Sequence, residues 1–240
     1  MEDENLWEEA LRLLEKDKIR NCNIINFIEQ YPIERIEIMG KSVLVRGISD
    51  EIWNYISSEN GDEFEKLIEK DQDTDTHFAV IEDWMLPYLT LSRTVVWQLT
   101  SIKLVFTHDV LLPANKHNVT ELKPEEAQYI YNHYDYQKYT SVEYITNRIQ
   151  NGNALGIYED SKLVAWIATH DDGAMGLLHV LPEYRKKGYG YELTVALTTR
   201  LYGQGKLPFI HIEEDNEKSM NLALKVGFVK DKRVHWLKVK

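Results

Sequence analysis

Leu6, Ala10, Leu13 and Leu14 recur every three or four residues with acids between them, which predicts a helix over 5–17. Residues 22–30 read as helical or mixed, and Pro32 ends them. From Ile33 to Met39 polar and apolar positions alternate as in a strand, and Val43 to Val45 is a second short apolar run. Asp50 has the character of an N-cap and predicts a helix over 51–58; 61–70 predicts another. His77 to Ile81 and Ile102 to Thr107 are strand-like.

The second half is patterned more clearly. Pro124 opens a helix of about ten residues, and Ser141 caps another running to Gln150. Leu155 to Tyr158 and Leu163 to His170 form a hairpin, and Met175 to Leu181 is a third strand. A loop over 182–190 leads to a helix from Tyr191 to Tyr202, a strand from Phe209 to Glu213 and a helix from Lys218 to Val226. Gly227 stops that helix, and Val234 to Val239 is the last strand. The order is helix, helix, three antiparallel strands, helix, strand, helix, strand. It predicts an α+β domain with a mixed sheet.

Pro113, Ala114, Asn115 and Asn118 lie between the two patterned regions. They set an amino-terminal α/β domain over 1–112 and a second domain over 118–240. The front domain is expected to shape an acceptor pocket or to be structural. Charge shifts at the same point. Residues 1–117 hold 12 basic and 23 acidic side chains, and residues 118–240 hold 16 of each, for a total of -11. Such acidity repels phosphate backbones, so no nucleic-acid partner is expected. No apolar run approaches the roughly 18 residues of a membrane span. The acidic start carries no leader pattern, and Cys22 is the lone cysteine. A cytoplasmic protein follows, a monomer or weak homodimer.

Some apparent signals fail on inspection. Asp71, Asp73, Asp75 and Glu82 stand at calcium-loop positions, but Thr76 occupies the place that needs glycine. The eight histidines show no zincin spacing, and no metal is expected.

The informative segment is LHVLPEYRKKGYGYELTV, residues 178–195. A strand runs into a loop with Arg185, Lys186, Lys187, Gly188, Tyr189 and Gly190, and a helix follows at once. Glycines let backbone N–H groups turn toward one point, and a helix N-terminus adds its dipole. Three cations supplement them. This is an anion cradle suited to a pyrophosphate; a solvated basic turn is the plain alternative.

Arg185-x-x-Gly188-x-Gly190 after a strand resembles the coenzyme A loop of the GCN5-related N-acetyltransferase (GNAT) superfamily. Asn216, Ser219 and Gly227-Phe228 resemble the second half of its signature. LPEYRKKGYG and LPFIHIEEDNEKSMNLALKVGF look like the glycine N-acyltransferase branch. The resemblance covers residues 119–240 and extends loosely over the front half. It implies a GNAT-type mixed sheet flanked by helices. The front domain's own strand and helix alternation suggests a degenerate copy of that fold. The branch brings a mitochondrial address into view, though no transit peptide is seen.

The resemblance further implies acyl-CoA as co-substrate and transfer of its acyl group to the amine of a glycine-like amino acid or a small amine. His179, Val180 and Leu181 would pair with the pantetheine arm. Lys186, Lys187, Gly188, Tyr189, Gly190 and Tyr191 would hold the pyrophosphate, with Arg185 closing over it. Asn216 would bond the pantetheine or order the loop, and Ser219 would lie near the sulfur. The branch's base, a glutamate, aligns with Ala174, and the superfamily's acid, a tyrosine, aligns with Ala223. His179 is the best substitute base. Glu213 is a candidate for binding the incoming amine, while His211, His170, Asp171 and Asp172 read mainly as structural. The two alanines leave open a second reading, a CoA-binding or interaction protein without efficient catalysis.

Overall fold

The computed structural model describes residues 2–69, 74–107 and 112–240. They divide into two compact units, 1–103 with 231–240 and 104–230. Asp71, Asp73 and residues 108–111, beside the expected domain boundary, lie outside the described residues.

The first unit opens with α1 (Glu2–Leu14) and α2 (Lys18–Gln30), followed by β1 (Ile33–Met39), β2 (Ser42–Ile48) and β3 (Ile52–Ser57). These strands pair antiparallel in order. Then α3 (Gly61–Glu69) crosses over to β4 (His77–Glu82), which lies parallel to β3. A short α4 (Leu86–Thr90) leads to β5 (Val95–Val105). The sheet is covered on both faces. Phe64, Leu67 and Ile68 of α3 pack with Leu44, Ile56 and Phe78. Ala10, Leu14, Ile24, Phe27 and Ile28 of α1 and α2 pack with Val43, Val45 and Tyr55. This explains the unbroken apolar run of β2, since a strand with both faces buried has no reason to alternate.

The expected helix over 51–58 is strand β3. Ile52, Tyr55 and Ile56 imitate helical spacing, but aromatic and β-branched residues favour the pleated backbone once a partner strand is present. Asp50 caps a hairpin turn instead. Its Oδ1 accepts from Glu51 N at 3.0 Å and from Trp53 Nε1 at 2.9 Å. Asp75 has a structural role. It is 2% exposed and its carboxylate bridges the guanidinium groups of Arg35 and Arg46.

The second unit contains β6 (Val119–Glu121), α5 (Ala127–His133), α6 (Val142–Asn151), β7 (Ala154–Glu159), β8 (Lys162–Thr169) and β9 (Met175–Val180). After these come α7 (Tyr189–Gly203), β10 (Phe209–Glu213) and α8 (Glu217–Val226). Its strands lie in the order β10-β9-β8-β7-β6. Ser141 caps α6 as expected, its Oγ accepting from Tyr144 N at 3.0 Å. Gly227 ends α8 with φ 114°, the left-handed conformation that favours glycine. The final strand, β11 (Val229–Val239), returns to the first unit and pairs antiparallel with β4.

Both units share one order: two helices, three antiparallel strands, a helix, and a strand parallel to the third. The expected α+β architecture is observed, with mixed sheets flanked by helices, and the first unit repeats the plan of the second.

Candidate functional site

The site grows from the way β9 and β10 meet. They are parallel, and their register pairing is Ile210 with Met175, at the start of β9. Among the described residues the two strands have no further register pair, so their ladder ends there and leaves a wedge toward the ends that carry Val180 and Glu213. A bulge accompanies the divergence. On β8 and β9, Trp166 faces His179 while Ala168 faces Gly176, so β9 carries one extra residue. Leu177, within that interval, has φ 52°. A branched residue in the left-handed region is strained, and bulges of this kind re-aim a strand.

At the wide end, residues 182–184 make a helical turn and the chain enters the glycine loop. Lys186 at φ 65° and Gly188 at φ 94° both take the left-handed conformation. Gly188 is the N-cap of α7, and no side chain caps that helix. Its first N–H groups are therefore available to an anion. A Cβ on Gly190 would approach Leu222 Cδ2 at 3.7 Å and Val180 Cγ2 at 3.8 Å, ordinary contacts. Nothing in the protein excludes a side chain there, so the missing Cβ leaves the loop open to a ligand. The corresponding loop of the first unit differs. Asn60 Oδ1 accepts from Asp62 N at 2.9 Å and Glu63 N at 3.1 Å, which caps α3 between two acids. That unit has no phosphate cradle at this place.

The remaining cradle residues are distributed around the loop. Lys186 and Lys187 are exposed, and Lys187 Nζ lies 4.8 Å from the Tyr184 ring centre. Tyr189 is buried, donates to Glu159 and meets His117 edge to face. Tyr191, half-buried, lies under Lys225 Nζ at 5.2 Å. Arg185 folds back, its Nε donating to the Val180 carbonyl at 3.0 Å. Leu181 is buried, and its N–H donates to the Val164 carbonyl at 2.9 Å. Asn216 caps α8, accepting from Ser219 N at 3.1 Å.

His179 sits at the centre. It is buried and stacks on Trp166, with ring centres 4.8 Å apart at 22°. Its Nδ1 lies 3.6 Å from Asp135 Oδ2, and Asp135 also lies 3.9 Å from Arg185 Nη2. Burial pushes the imidazole below its ordinary pKa; Asp135 opposes the shift, and Arg185 and His133 add to it. The ring is thus neutral near pH 7 and able to accept a proton.

Asp135, Tyr134 and Tyr136 are the residues that sequence reading missed. Burial, then Glu213 at the end of β10, pushes the Tyr136 phenol up, and Asn216 opposes the shift. Tyr134 is pushed up as well, chiefly by burial. One segment after α5 thus reaches β9 through Asp135, and its Tyr136 feels the charge of Glu213 at the end of β10. The Tyr-Asp-Tyr-Gln-Lys-Tyr run of 134–139 was the available signal.

Ala174 and Ala223 are both 1% exposed, so neither place offers an ionisable group. Near Ala174, Asp172 Oδ1 accepts from Ala174 N at 2.9 Å, and its Oδ2 lies 3.8 Å from His211 Nε2. His170 bonds Tyr144 across the turn at 3.0 Å, and Tyr144 also donates to Asp171 at 3.5 Å.

The model of the FR47-like protein family matches residues 154–237. No curated protein sequence matches the chain. Among solved structures, a Drosophila protein aligns over 97% of this chain and 96% of its own, with TM-score 0.78 and 15% identity. A GCN5-related N-acetyltransferase from Kribbella flavida aligns over 92% and 94%, with TM-score 0.58 and 15% identity. A tandem GNAT protein from the clavulanic acid biosynthesis pathway aligns over 91% and 87%, with TM-score 0.53 and 14% identity. The chain has the fold of the GCN5-related N-acetyltransferases, and a family-model match over residues 154–237 falls mainly in its second unit.

Proposed function

We propose that the chain is an acyl-CoA-dependent N-acyltransferase. The observation that carries this reading is the wedge between β9 and β10, which ends at an uncapped helix N-terminus and a left-handed glycine loop. A phosphate group suits that terminus, and an extended arm suits a strand edge that has lost its neighbour. In this reading Lys186 to Tyr191 hold the pyrophosphate of acyl-CoA. The pantetheine arm lies along His179, Val180 and Leu181, with Asn216 and Ser219 on the opposite side.

The acceptor is the amine of a glycine-like amino acid or another small amine. Its nitrogen attacks the thioester carbonyl and forms the new C–N bond. The C–S bond then breaks, and the thiolate takes up a proton as coenzyme A leaves. The amine must lose a proton on the way, and neutral His179 accepts it. A strand N–H near His179 or Val180 polarises the carbonyl oxygen. Glu213 binds the incoming ammonium group before it is deprotonated.

A second reading, a coenzyme A-binding protein without efficient turnover, is favoured by the two buried alanines. Calorimetric titration with coenzyme A tests what the two readings share. Micromolar binding that Gly188→Ala/Lys186→Ala weakens at least tenfold is expected. Absence of binding overturns both.

A further inference from the structure

The first unit holds a hydroxyl, an imidazole and a carboxylate in one hydrogen-bonded row. Strand β11 lies between β4 and β5 in the sheet. His235 of β11 is 3% exposed, and both of its ring nitrogens are engaged. Nε2 lies 2.8 Å from Oδ1 of Asp83, the residue after β4 ends. Nδ1 lies 2.9 Å from Oγ1 of Thr100 and 3.2 Å from Nε2 of Gln98, both on β5. Thr100 and Gln98 are two residues apart, so the strand carries them on one face.

These contacts settle where the ring hydrogen sits. An ionised carboxylate only accepts, so His235 Nε2 carries the hydrogen and donates it to Asp83. An amide nitrogen only donates, so Nδ1 is the bare, accepting nitrogen toward Gln98. The Thr100 hydroxyl then donates to Nδ1 as well. Arg233 Nε lies 3.3 Å from Asp83 Oδ2, which holds the other carboxylate oxygen and leaves Oδ1 to the ring. A hydroxyl thus faces a basic nitrogen whose far side is oriented by a carboxylate. That order of nucleophile, base and orienting group activates a hydroxyl for attack on a carbonyl.

A fourth group stands beside the nucleophile. Gln98 Nε2 lies 3.3 Å from Thr100 Oγ1, and a side-chain amide N–H is a donor suited to a developing oxyanion. Thr100 is half-buried, Gln98 is exposed and the Asp83 side chain is 57% exposed. The hydroxyl is therefore reachable from solvent on an open sheet face, which suits a small ester rather than a long chain.

We propose that Thr100, His235 and Asp83 form an esterase centre of the first unit that takes small, uncharged carboxylic esters. Thr100 Oγ1 attacks the ester carbonyl while its proton passes to His235 Nδ1. The ester's own C–O bond breaks, and the leaving oxygen takes the proton from Nδ1. Water then attacks the acyl-threonine, gives its proton to Nδ1 and releases the carboxylic acid, and Thr100 recovers its hydrogen from the ring. The reaction uses neither coenzyme A nor an amine, so its failure would leave the proposed acyl transfer untouched.

The probe is p-nitrophenyl acetate, offered to the full chain without coenzyme A. Surface lysines consume the ester once and do not turn over, so sustained p-nitrophenol release is the readout. Release over many equivalents is expected, with acetyl found on Thr100 by peptide mapping of acid-quenched protein. Thr100→Val keeps the shape of the side chain and should lower the rate about a hundredfold or more. Asp83→Asn should lower it about tenfold or more by releasing the tautomer. Thr100→Ser restores a hydroxyl and should restore turnover, which a role in packing alone would not require. Circular dichroism checks that each variant is folded. Absence of turnover in the wild type, equal turnover in Thr100→Val, or acetyl only on lysines overturns the proposal and leaves the row as a structural hydrogen-bond network.

Discussion

Asp135 Oδ2 stands 3.6 Å from His179 Nδ1, joining the segment after α5 to the strand that ends in the glycine loop. The pair is not neutral in its effect. Asp135 raises the imidazole pKa, while burial and Arg185 lower it, and the lowering wins. If His179 is the base, kcat/KM should fall on the acid side through a pKa below the ordinary histidine value of about 6.5. Asp135→Asn removes a raising influence and should move that limb to lower pH. Arg185→Ala removes a lowering one and should move it up. A pH–rate profile of the three proteins checks both signs.

Gly190 separates binding from folding. An added methyl meets ordinary contacts within the protein, and alanine favours a helix by about 0.5–1 kcal/mol over glycine. Gly190→Ala should therefore keep or slightly raise the melting temperature while weakening coenzyme A at least tenfold. Thermal melts and calorimetry on one preparation check the two halves.

Gly176 has the opposite character. A Cβ there would lie 2.2 Å from His170 Nε2, and Tyr144 holds that ring by its other nitrogen at 3.0 Å. Gly176→Ala should cost about 1–3 kcal/mol by overpacking. Gly176→Ala/His170→Ala should recover most of the loss relative to His170→Ala alone. Urea unfolding of the cycle measures it.

Asp75 should be indispensable to the first unit. Its carboxylate, 2% exposed, bridges Arg35 and Arg46, and taking one partner from a buried ion pair costs about 3–5 kcal/mol. Asp75→Ala should show that loss in denaturant unfolding, whereas calcium or a chelator should leave the wild-type midpoint unchanged.

The sequence was most legible where short loops separate strongly patterned elements, as in the hairpin β7–β8, and where a cap is chemical, as at Ser141 and Gly227. It misled at β3, because Ile52, Tyr55 and Ile56 fit a helical face as well as a strand buried on both sides. The three residues of β6 are too few to carry a period. The glycine loop was legible because positive φ demands particular residues. Asp135 and Tyr136 were not, since their relation to His179 and Glu213 exists only after folding and local spacing cannot encode it.

The most direct test of the central claim is acceptor-dependent thiol release. Acetyl-, benzoyl- and longer acyl-CoA would be offered with glycine, other amino acids and small amines, to the wild type and to Lys186→Ala/Gly188→Ala. Release that requires an amine, and that the double variant loses, is the predicted result. No amine-dependent release from any donor, alongside intact coenzyme A binding, would contradict transfer and leave a binding protein whose buried Ala174 and Ala223 explain its silence.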